Sequence, residues 1–207
     1  MLRQLINVII EEHAEVSKEW EKLCNNRNIK FSKKCISDIY NDITFLNMSF
    51  TYRVYLIKNQ DRIKEKISSF EKSKHYILSN RIKLENSIQY KIYNYMISEK
   101  HEKGEVPINK CLNDLFGLRV ILPKEINFEF LENYISKNYK DKLRCVKSIR
   151  GDYVATHIYF KYNNYTFPWE LQIWDKVHEK TNLKSHADYK QNYAKWEKKM
   201  KGDDENW

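Results

Sequence analysis

Glycine is scarce in this chain of 207 residues, which has only Gly104, Gly117, Gly151 and Gly202. No GxxxxGK[ST] loop and no GxGxxG turn can be written around these four positions. Such loops hold phosphates with backbone amides, so their absence excludes nucleotide sites of the P-loop and Rossmann types. If the chain binds a nucleotide, side chains must contact the phosphates.

Paired cysteines and long apolar segments are also lacking. The four cysteines, Cys24, Cys35, Cys111 and Cys145, form no CxxC pair, which favours reduced thiols over a disulfide framework or a zinc site. No segment approaches the roughly 20 apolar residues that span a bilayer. The apolar run before Glu11 is too short for the core of a signal peptide. We therefore expect a soluble, cytoplasmic protein without a membrane partner.

Positive charge is in excess. Lys and Arg number 37 against 28 Asp and Glu, which gives a formal net charge of +9. A basic protein suits an anionic partner such as a nucleotide, RNA or a membrane surface. Because the basic residues are spread along the chain, a lysine-rich surface without a partner is an equally open interpretation. Hydrophobic residues make up 42%, enough for a folded core, so wholesale disorder is excluded.

Apolar periodicity predicts that residues 1–76 are mostly helical. Between residues 3 and 23, apolar side chains recur at the three- and four-residue spacing of an amphipathic helix. The members of this first stripe are Leu5, Ile9, His13, Val16 and Trp20. Two further helical stripes follow, in a region without glycine or proline. They are Ile36, Ile39, Tyr40, Ile43 and Leu46, and then Tyr55, Ile63, Ile67 and Phe70.

From residue 77 onward, short strands alternate with helical segments. The expected strands cover residues 77–83, 117–122, 143–149, 155–162 and 165–173. The last two flank Asn163-Asn164, a pair typical of a hairpin turn.

Helices are expected from an N-cap at Asn86 to about residue 100, over residues 128–139, and from about residue 174 to 201. The sequence therefore predicts an α+β fold in which a mixed or antiparallel sheet carries helices. Residues 1–76 would form an additional N-terminal helical layer, and residues 77–207 the sheet-containing region.

Three stretches carry polar side chains in an order that suits triphosphate chemistry. They are Arg81-x-Lys83-x3-Ser87-Ile-x2-Lys91, then Asn113-Asp114-x2-Gly117-x-Arg119, and finally Glu170-x-Gln172-Ile followed by His186-x2-Tyr189-Lys190. Transfer of a pyrophosphoryl group needs positive charge near three phosphates, a magnesium ion and a base near the attacking hydroxyl. These stretches contain side chains for each of those tasks.

In order and internal spacing, the stretches resemble the synthetase domain of the RelA/SpoT family, the (p)ppGpp (alarmone) synthetases. The resemblance covers about residues 77–192. The family patterns are RxKxxxSIxxK, a D-x-x-G-x-R strand, a G-Y-R-S-x-H loop, an E-x-Q-I-R-T strand and a terminal H-x-x-Y-K. The resemblance implies a nucleotidyltransferase-like fold that transfers the β,γ-pyrophosphate of ATP to a ribose 3′-hydroxyl, with Mg2+ as cofactor.

The family pattern assigns five residues to the ATP donor. Arg81 would stack its planar guanidinium on adenine, as arginine does and lysine cannot. Lys83, Ser87 and Lys91 would bind the phosphates, with Ser87 near a helix N-terminus that favours an anion. Arg119 would be the second contact to adenine or phosphate.

Asp114 and Glu170 are the expected catalytic and metal-binding residues. Asp114 would ligate magnesium, which prefers carboxylate oxygens. Glu170 would complete the metal site or accept the proton of the 3′-hydroxyl. Gln172 follows two residues later on the same strand face and is expected at the acceptor, together with Tyr153 and His157.

The acceptor loop departs from the family pattern K-x-N-G-Y-R-S-x-H. It keeps Tyr153, expected to stack on the guanine base, and His157, but Val154 and Ala155 stand where the family has Arg and Ser. The Arg-Thr pair after E-x-Q-I is replaced by Trp-Asp. The donor half of the pattern is therefore complete, whereas the acceptor half keeps its ring and loses polar contacts.

The family's lysine at the start of this loop is also missing, unless Lys147 or Arg150 replaces it.

His178 and His186 lie eight residues apart on the last predicted helix, at a spacing that suits a metal pair. We favour a packing role near the cleft for His186 and a surface position for His178. For Trp169, Trp174 and Trp196 we favour the core over a base-stacking role.

Three functions remain open at this point. The first is an ATP-dependent pyrophosphokinase acting on a guanosine nucleotide, the majority activity of the family. The second keeps the chemistry but takes the 3′ end of tRNA as acceptor, as some toxic small alarmone synthetases do, with an antitoxin protein as a further partner. The third is a catalytically inactive binding or regulatory module. Basic side chains that could form an RNA surface are Lys33, Lys34, Arg53, Lys58 and Arg62. The family's small members often form tetramers, so a homo-oligomer is also open.

Overall fold

The computed structural model describes residues 2–24, 29–68 and 76–188. The helices before the sheet are α1 (Leu2–Leu23), α2 (Ile36–Ile39), α3 (Ile43–Lys58) and α4 (Gln60–Ser68). Those that follow are α5 (Glu85–Ile97), α6 (Ile108–Cys111), α7 (Phe128–Tyr139) and α8 (residues 179–188). The strands are β1 (Ile77–Ile82), β2 (Phe116–Leu122), β3 (Leu143–Arg150), β4 (Tyr153–Phe160) and β5 (Trp169–Asp175).

The five strands form one mixed sheet in the order β1-β2-β5-β4-β3. Strands β2 and β5 are parallel, and the other neighbouring pairs are antiparallel. Helices flank the sheet and precede it along the chain. The predicted α+β class, with a mixed sheet flanked by helices and an N-terminal helical layer, is confirmed.

One face of the sheet is apolar and buried. Its side chains share one hydrophobic core with α1, α3 and α7, and include Leu118, Val120, Ile158, Leu171 and Ile173. Trp169 links the sheet to the N-terminal helices, because its ring lies 4.9 Å from that of His13 and its indole nitrogen donates to the Tyr52 hydroxyl at 2.9 Å. All five residues of the first predicted helical stripe are buried in this region, so that prediction is confirmed.

The opposite face of the sheet is polar, and the strand register places the predicted site residues on it. Arg81 lies opposite Gly117, which in turn lies opposite Glu170. In the next row, Arg119 lies opposite Gln172, which lies opposite His157. Side chains in directly paired positions share a face of a sheet. The register therefore collects residues distant in sequence on one surface.

The second predicted stripe does not lie on a single helix, so the prediction of one helix there is wrong. Helix α2 ends at Ile39, and α3 begins at Ile43 because Asp42 caps it, accepting hydrogen bonds from the amides of Thr44 and Phe45. The new start rotates Ile43 away from the core, and 67% of its surface is exposed. A side-chain cap of this kind starts a new helix, so α2 and α3 do not form one continuous helix.

Two local predictions near the sheet are also wrong. Helix α5 begins at Glu85, one residue before the proposed cap Asn86, and no side chain caps it. Asn163-Asn164 does not form a tight hairpin turn, because the Asn163 side chain accepts from the Tyr165 amide inside a longer connection between β4 and β5. The tight turn joins β3 to β4 instead, at Gly151 with φ of +57°.

Within the described residues, no helix combines the length and the apolar character needed to cross a membrane. The predicted last helix begins at residue 179, after β5 and a short 3-10 turn at Lys176–His178. Its predicted end, together with Tyr189, Lys190 and Trp196, lies outside the described residues.

Candidate active site

Asp114 is the point at which three cations meet. It lies between α6 and β2, two residues before the strand begins, and its two carboxylate oxygens face the end of β1 and the first turns of α5. Lys83 Nζ donates to Oδ2 at 2.7 Å, and Lys91 Nζ donates to Oδ1 at 2.9 Å. Arg81 Nη2 lies 3.3 Å from Oδ2. Three positive groups thus share one negative group.

The charges around Asp114 fix its ionisation. Burial alone would raise the pKa of this carboxyl, but Lys83, Lys91 and Arg81 together hold it far below its usual range. Burial also opposes the charge of Lys91, yet the Asp114 carboxylate outweighs burial and raises the pKa of that lysine. Burial lowers the pKa of Lys83, and the carboxylate of Asp114 only partly opposes that effect. Asp114 is therefore ionised at neutral pH, and the cationic side chains around it outnumber it, which suits phosphate groups.

Glu170 lies on β5, beside the cluster. Its Oε1 accepts from His157 Nδ1 at 2.8 Å, and its Oε2 accepts from Gln172 Nε2 at 2.8 Å. Burial raises the pKa of Glu170, but the hydrogen bond and charge of His157 overcome that effect and lower it. Arg81 Nη2 lies 3.7 Å from Oε2, so one guanidinium contacts both predicted catalytic carboxylates.

Arg119 lies in the next row of the sheet, in contact with the indole ring of Trp174. Its guanidinium carbon is 3.7 Å from the centroid of Trp174, and its Nη2 donates to Gln172 at 3.1 Å and to His186 Nε2 at 3.1 Å. Burial and the nearby Arg81 lower the pKa of Arg119 to about 10. Burial and the two guanidinium groups lower the pKa of His186 to about 4, so its ring is neutral and can accept from Arg119 at neutral pH.

A cleft of about 310 Å³ opens between β1, β2 and α8. Arg81, Arg119 and Gln172 line it from the sheet, and Leu183 and His186 line it from α8. Its size is at the lower end of ligand sites, which run from roughly 300 to 1,000 Å³. A larger cavity, of about 570 Å³, lies between α7 and β3 and includes Lys147, but none of the residues assigned to the donor, the acceptor or the metal.

Ser87 is the donor residue that the structure does not join to the others. It lies in the first turn of α5 and is half-buried. Within the part of the chain that the structure describes, its hydroxyl makes no side-chain hydrogen bond to the cluster. Its predicted role with phosphates rests on its position near the helix N-terminus.

Tyr153, predicted as a base-stacking platform, has its ring covered in the structure. Only 8% of the residue is exposed, and its ring packs edge-on against Trp174 and His186 at 6.2 and 5.7 Å. Its hydroxyl lies 2.9 Å from His157 Nε2, so it can donate to that ring. In this conformation no base can stack on Tyr153, and its contact with His157 connects it to Glu170.

The predicted acceptor loop is a tight hairpin between β3 and β4. The register of these strands separates the two candidates for the missing lysine. Arg150 lies opposite Tyr153, on the polar face, whereas Lys147 lies opposite Thr156, on the face that carries the helices. Of the two, only Arg150 is on the side of the site.

Sequence reasoning missed two neighbours of the acceptor side, Tyr159 and Asn182. Tyr159 lies directly opposite Glu170, and its hydroxyl lies 3.4 Å from His157 Nδ1. The two-residue spacing from His157 along β4 was a sequence signal for this face. Asn182 lies on α8 and binds the backbone of Val154 with both amide atoms. No local pattern indicates that contact.

Asp114 and Glu170 are the carboxylates of this site that could hold a magnesium ion. Among the described residues, no group of three His, Cys, Asp or Glu side chains could hold a metal ion by itself. Magnesium in nucleotide sites usually needs only one or two carboxylates, with phosphates and water supplying the rest. Asp114 and Glu170 offer such oxygens on either side of the Arg81 guanidinium, a gap that already holds a cation. The residues present therefore fit a magnesium ion that arrives with a nucleotide.

No protein-family model matches the chain, and no curated protein matches its sequence. Among solved structures, the chain is similar to small alarmone synthetase 1 from Bacillus subtilis, with 16% identity and a TM-score of 0.43, over 73% of this chain and 82% of that one. It is also similar to small alarmone synthetase 2 from the same organism, with 18% identity and a TM-score of 0.41, over 72% and 82% of the two chains. At identities this low, the reaction has to be inferred from the residues of the cleft.

Proposed function

We propose that this protein is an ATP-dependent pyrophosphokinase that transfers the β,γ-pyrophosphate of ATP to the 3′-hydroxyl of a guanosine nucleotide, forming (p)ppGpp. One observation carries the proposal. Arg81 lies 3.3 Å from Asp114 and 3.7 Å from Glu170, while Lys83 contacts the same oxygen of Asp114 and Lys91 contacts the other oxygen. Two ionised carboxylates and a surplus of cations on one sheet face are what this reaction requires.

The cations act on the donor. In the transfer, the acceptor oxygen forms a bond to the β-phosphorus, the bond from that phosphorus to the oxygen of the α-phosphate breaks, and AMP leaves. Lys83 and Lys91 supply fixed positive charge beside the phosphates, since both are held in place by Asp114. Arg81 and Arg119 line the adjoining cleft, where they can contact the adenine.

The carboxylates act on the acceptor and the metal. Mg2+ held by Asp114 and Glu170 would supply positive charge to the phosphates when it is bound. Glu170 is ionised and oriented by His157 and Gln172, so its carboxylate can take the proton of the 3′-hydroxyl as the new bond forms. Preorganised groups of this kind stabilise charge that develops in the transition state.

A second acceptor, the 3′ end of tRNA, is favoured by the edge of the sheet. Strand β3 is an edge strand, and Arg144 and Arg150 are exposed on the same face as the site. The strand carries no acidic residue. A polyanion could therefore run along this edge with its last ribose at Glu170, because Lys and Arg neutralise an RNA backbone.

Two of the five basic residues suggested for an RNA surface, Arg53 and Arg62, are paired with acidic side chains. Arg53 forms an ion pair with Glu85 at 3.2 Å. Arg62 forms ion pairs with Glu15 at 2.9 Å and Glu19 at 2.8 Å. Charges already neutralised within the protein contribute less to a phosphate backbone.

Transfer assays separate these acceptors. The pure protein is incubated with γ-labelled ATP and Mg2+, and offered GDP, GTP or deacylated tRNA in turn. Label on a mononucleotide supports the alarmone reaction, and label on tRNA supports the RNA acceptor. If none of the three acquires label while ATP still binds, the pyrophosphokinase proposal is wrong and a regulatory binding module is the remaining interpretation.

A further inference from the structure

The guanidinium of Arg81 stands where the two predicted metal ligands face each other. Its Nη2 is 3.3 Å from Asp114 Oδ2 and 3.7 Å from Glu170 Oε2. Both carboxylate side chains are buried, whereas 41% of the Arg81 side chain is exposed. A partly exposed cation thus bridges two buried anions, as a divalent ion would.

The backbone beside this gap is shaped for the arginine. Gly117 lies directly opposite Arg81 in the sheet. A Cβ at that position would lie 3.2 Å from Arg81 Nε and 3.4 Å from its Cγ. The missing side chain therefore lets the arginine cross the strand and reach Glu170.

A divalent ion and the guanidinium cannot both occupy the gap, since both would need the same space between Asp114 Oδ2 and Glu170 Oε2. The side chains of Lys83 and Lys91 are only 7% and 15% exposed, against 41% for Arg81. Arg81 is the cation with room to move, because it borders the cleft that also contains Arg119 and Leu183. A purine in that cleft would offer the guanidinium a flat partner for stacking.

We propose that Arg81 holds the place of the metal in the nucleotide-free protein, and that the purine of the donor draws it away and thereby opens the metal site. The proposal rests on the proposed function for the identity of the donor and for the two metal ligands. It makes purine and metal binding mutually favourable, because coupling between two sites is reciprocal. The free protein then binds divalent ions weakly, which keeps the two carboxylates paired until a donor arrives.

Manganese binding tests the first half of the proposal. Mn2+ is titrated into nucleotide-free protein and the free ion is measured by electron paramagnetic resonance. We expect Arg81→Met to bind Mn2+ about tenfold more tightly than the native chain, a factor within the range of coupled sites. Adding Asp114→Asn to that variant should remove the gain. Equal affinity in the native chain and Arg81→Met overturns the proposal.

Arg119→Met is the matched control, because it removes the same charge from the same sheet face without vacating the gap. It should change the Mn2+ affinity much less than Arg81→Met does, and an equal gain would mean that general charge, not occupancy, is responsible. Thermal unfolding confirms that each variant is folded. Should Arg81→Met be unfolded, Gly117→Ala displaces the same guanidinium and should also tighten Mn2+ binding.

Adenosine tests the second half, because it offers a purine but has no phosphate to chelate the ion. Saturating adenosine should tighten Mn2+ binding to the native chain and leave Arg81→Met unchanged. No change in the native chain overturns the link to the donor. Neither measurement involves turnover, so the absence of pyrophosphoryl transfer would refute the proposed function without affecting this result.

Discussion

Lys83 Nζ lies 2.7 Å from Asp114 Oδ2, and the two side chains are only 7% and 9% exposed. They form a buried ion pair that also includes Lys91 at 2.9 Å. Burying charges is costly unless each has a partner, and breaking such a pair leaves an uncompensated charge. The same carboxylate therefore supports both the fold and the proposed chemistry.

Asp114→Asn should lose both stability and activity. The substitution leaves Lys83, Lys91 and Arg81 without their shared negative charge, so we expect a loss of about 3–5 kcal/mol in the free energy of unfolding. Transfer of labelled pyrophosphate should fall by about 100-fold or more. Urea unfolding and the transfer assay measure the two effects. Asp141→Asn, in the exposed turn between α7 and β3, is the control and should change neither. Near-native turnover in Asp114→Asn would show that the carboxylate is not essential.

Gly117→Ala and Gly151→Ala should affect different properties, donor affinity in the first case and stability in the second. At Gly117, a Cβ would press on Arg81 at 3.2 Å, so donor affinity should fall by about threefold to tenfold with little change in stability. At Gly151 nothing lies within 4 Å, but φ is +57°, so the free energy of unfolding should fall by roughly 1 kcal/mol with donor affinity unchanged. Calorimetry with a non-hydrolysable ATP analogue and urea unfolding separate these outcomes. Equal donor affinity in all three proteins would contradict the close approach of Arg81.

The proximity of Arg81, Lys83, Lys91 and Asp114 was expected from the family pattern that these stretches resemble, and the structure brings the four side chains together. Their roles toward an ATP donor stay a prediction. Sequence also indicated the strand and helix types, since apolar periodicity follows the buried face.

The acceptor half was less predictable, because it depends on contacts between distant elements. The ring of Tyr153 is covered by α8, which Asn182 attaches to β4 across 28 residues of sequence. No spacing rule reports a contact of this kind. The start of α3 is similar in principle, since one side-chain cap at Asp42 overrode a continuous apolar stripe.

Tyr153→Phe distinguishes two roles for this ring. A stacking platform needs only the ring, so Phe would preserve acceptor use. The structure shows a hydroxyl 2.9 Å from His157, which in turn holds Glu170, so we expect Phe to lower kcat by about tenfold with KM for the acceptor nearly unchanged. Steady-state kinetics measure both constants. Tyr153→Leu serves as the comparison, since it removes ring and hydroxyl together. Full activity in Tyr153→Phe would restore the stacking interpretation.

His13 should make the fold sensitive to acid. Burial lowers the pKa of this ring from 6.5 to about 4, and Nε2 lies 3.0 Å from the Phe167 carbonyl oxygen. As pH falls below 6.5, the unfolded chain binds a proton and the folded chain does not, so stability is lost down to about pH 4. The loss should reach roughly 3 kcal/mol.

His13→Gln keeps an amide donor for the Phe167 carbonyl but does not titrate. We expect the variant to be less stable than the native chain at neutral pH, by about 1 kcal/mol, since its side chain packs less well against Trp169. Its unfolding free energy should decline less steeply between pH 6.5 and 4. Urea unfolding at a series of pH values tests this. Parallel curves for the two proteins would show that His13 is charged in the fold.

Asn182 attaches α8 to the polar face of the sheet. Its Oδ1 accepts from the Val154 amide at 2.9 Å, and its Nδ2 donates to the Val154 carbonyl at 2.8 Å. The side chain is fully buried. It pairs with the backbone of β4 at Val154, beyond the residues of β4 that pair with β5. Asn182→Ala leaves both backbone groups unpaired, which should cost about 2–4 kcal/mol.

The position of α8 over Tyr153 should depend on this contact. In Asn182→Ala, hydrogen exchange at the Val154 amide should accelerate, and so should exchange in α8, while amides in α1 keep their protection. Asn182→Asp, which keeps the acceptor but loses the donor, should be intermediate. If exchange instead rises equally in α1 and α8, Asn182 stabilises the whole fold and does not specifically position α8.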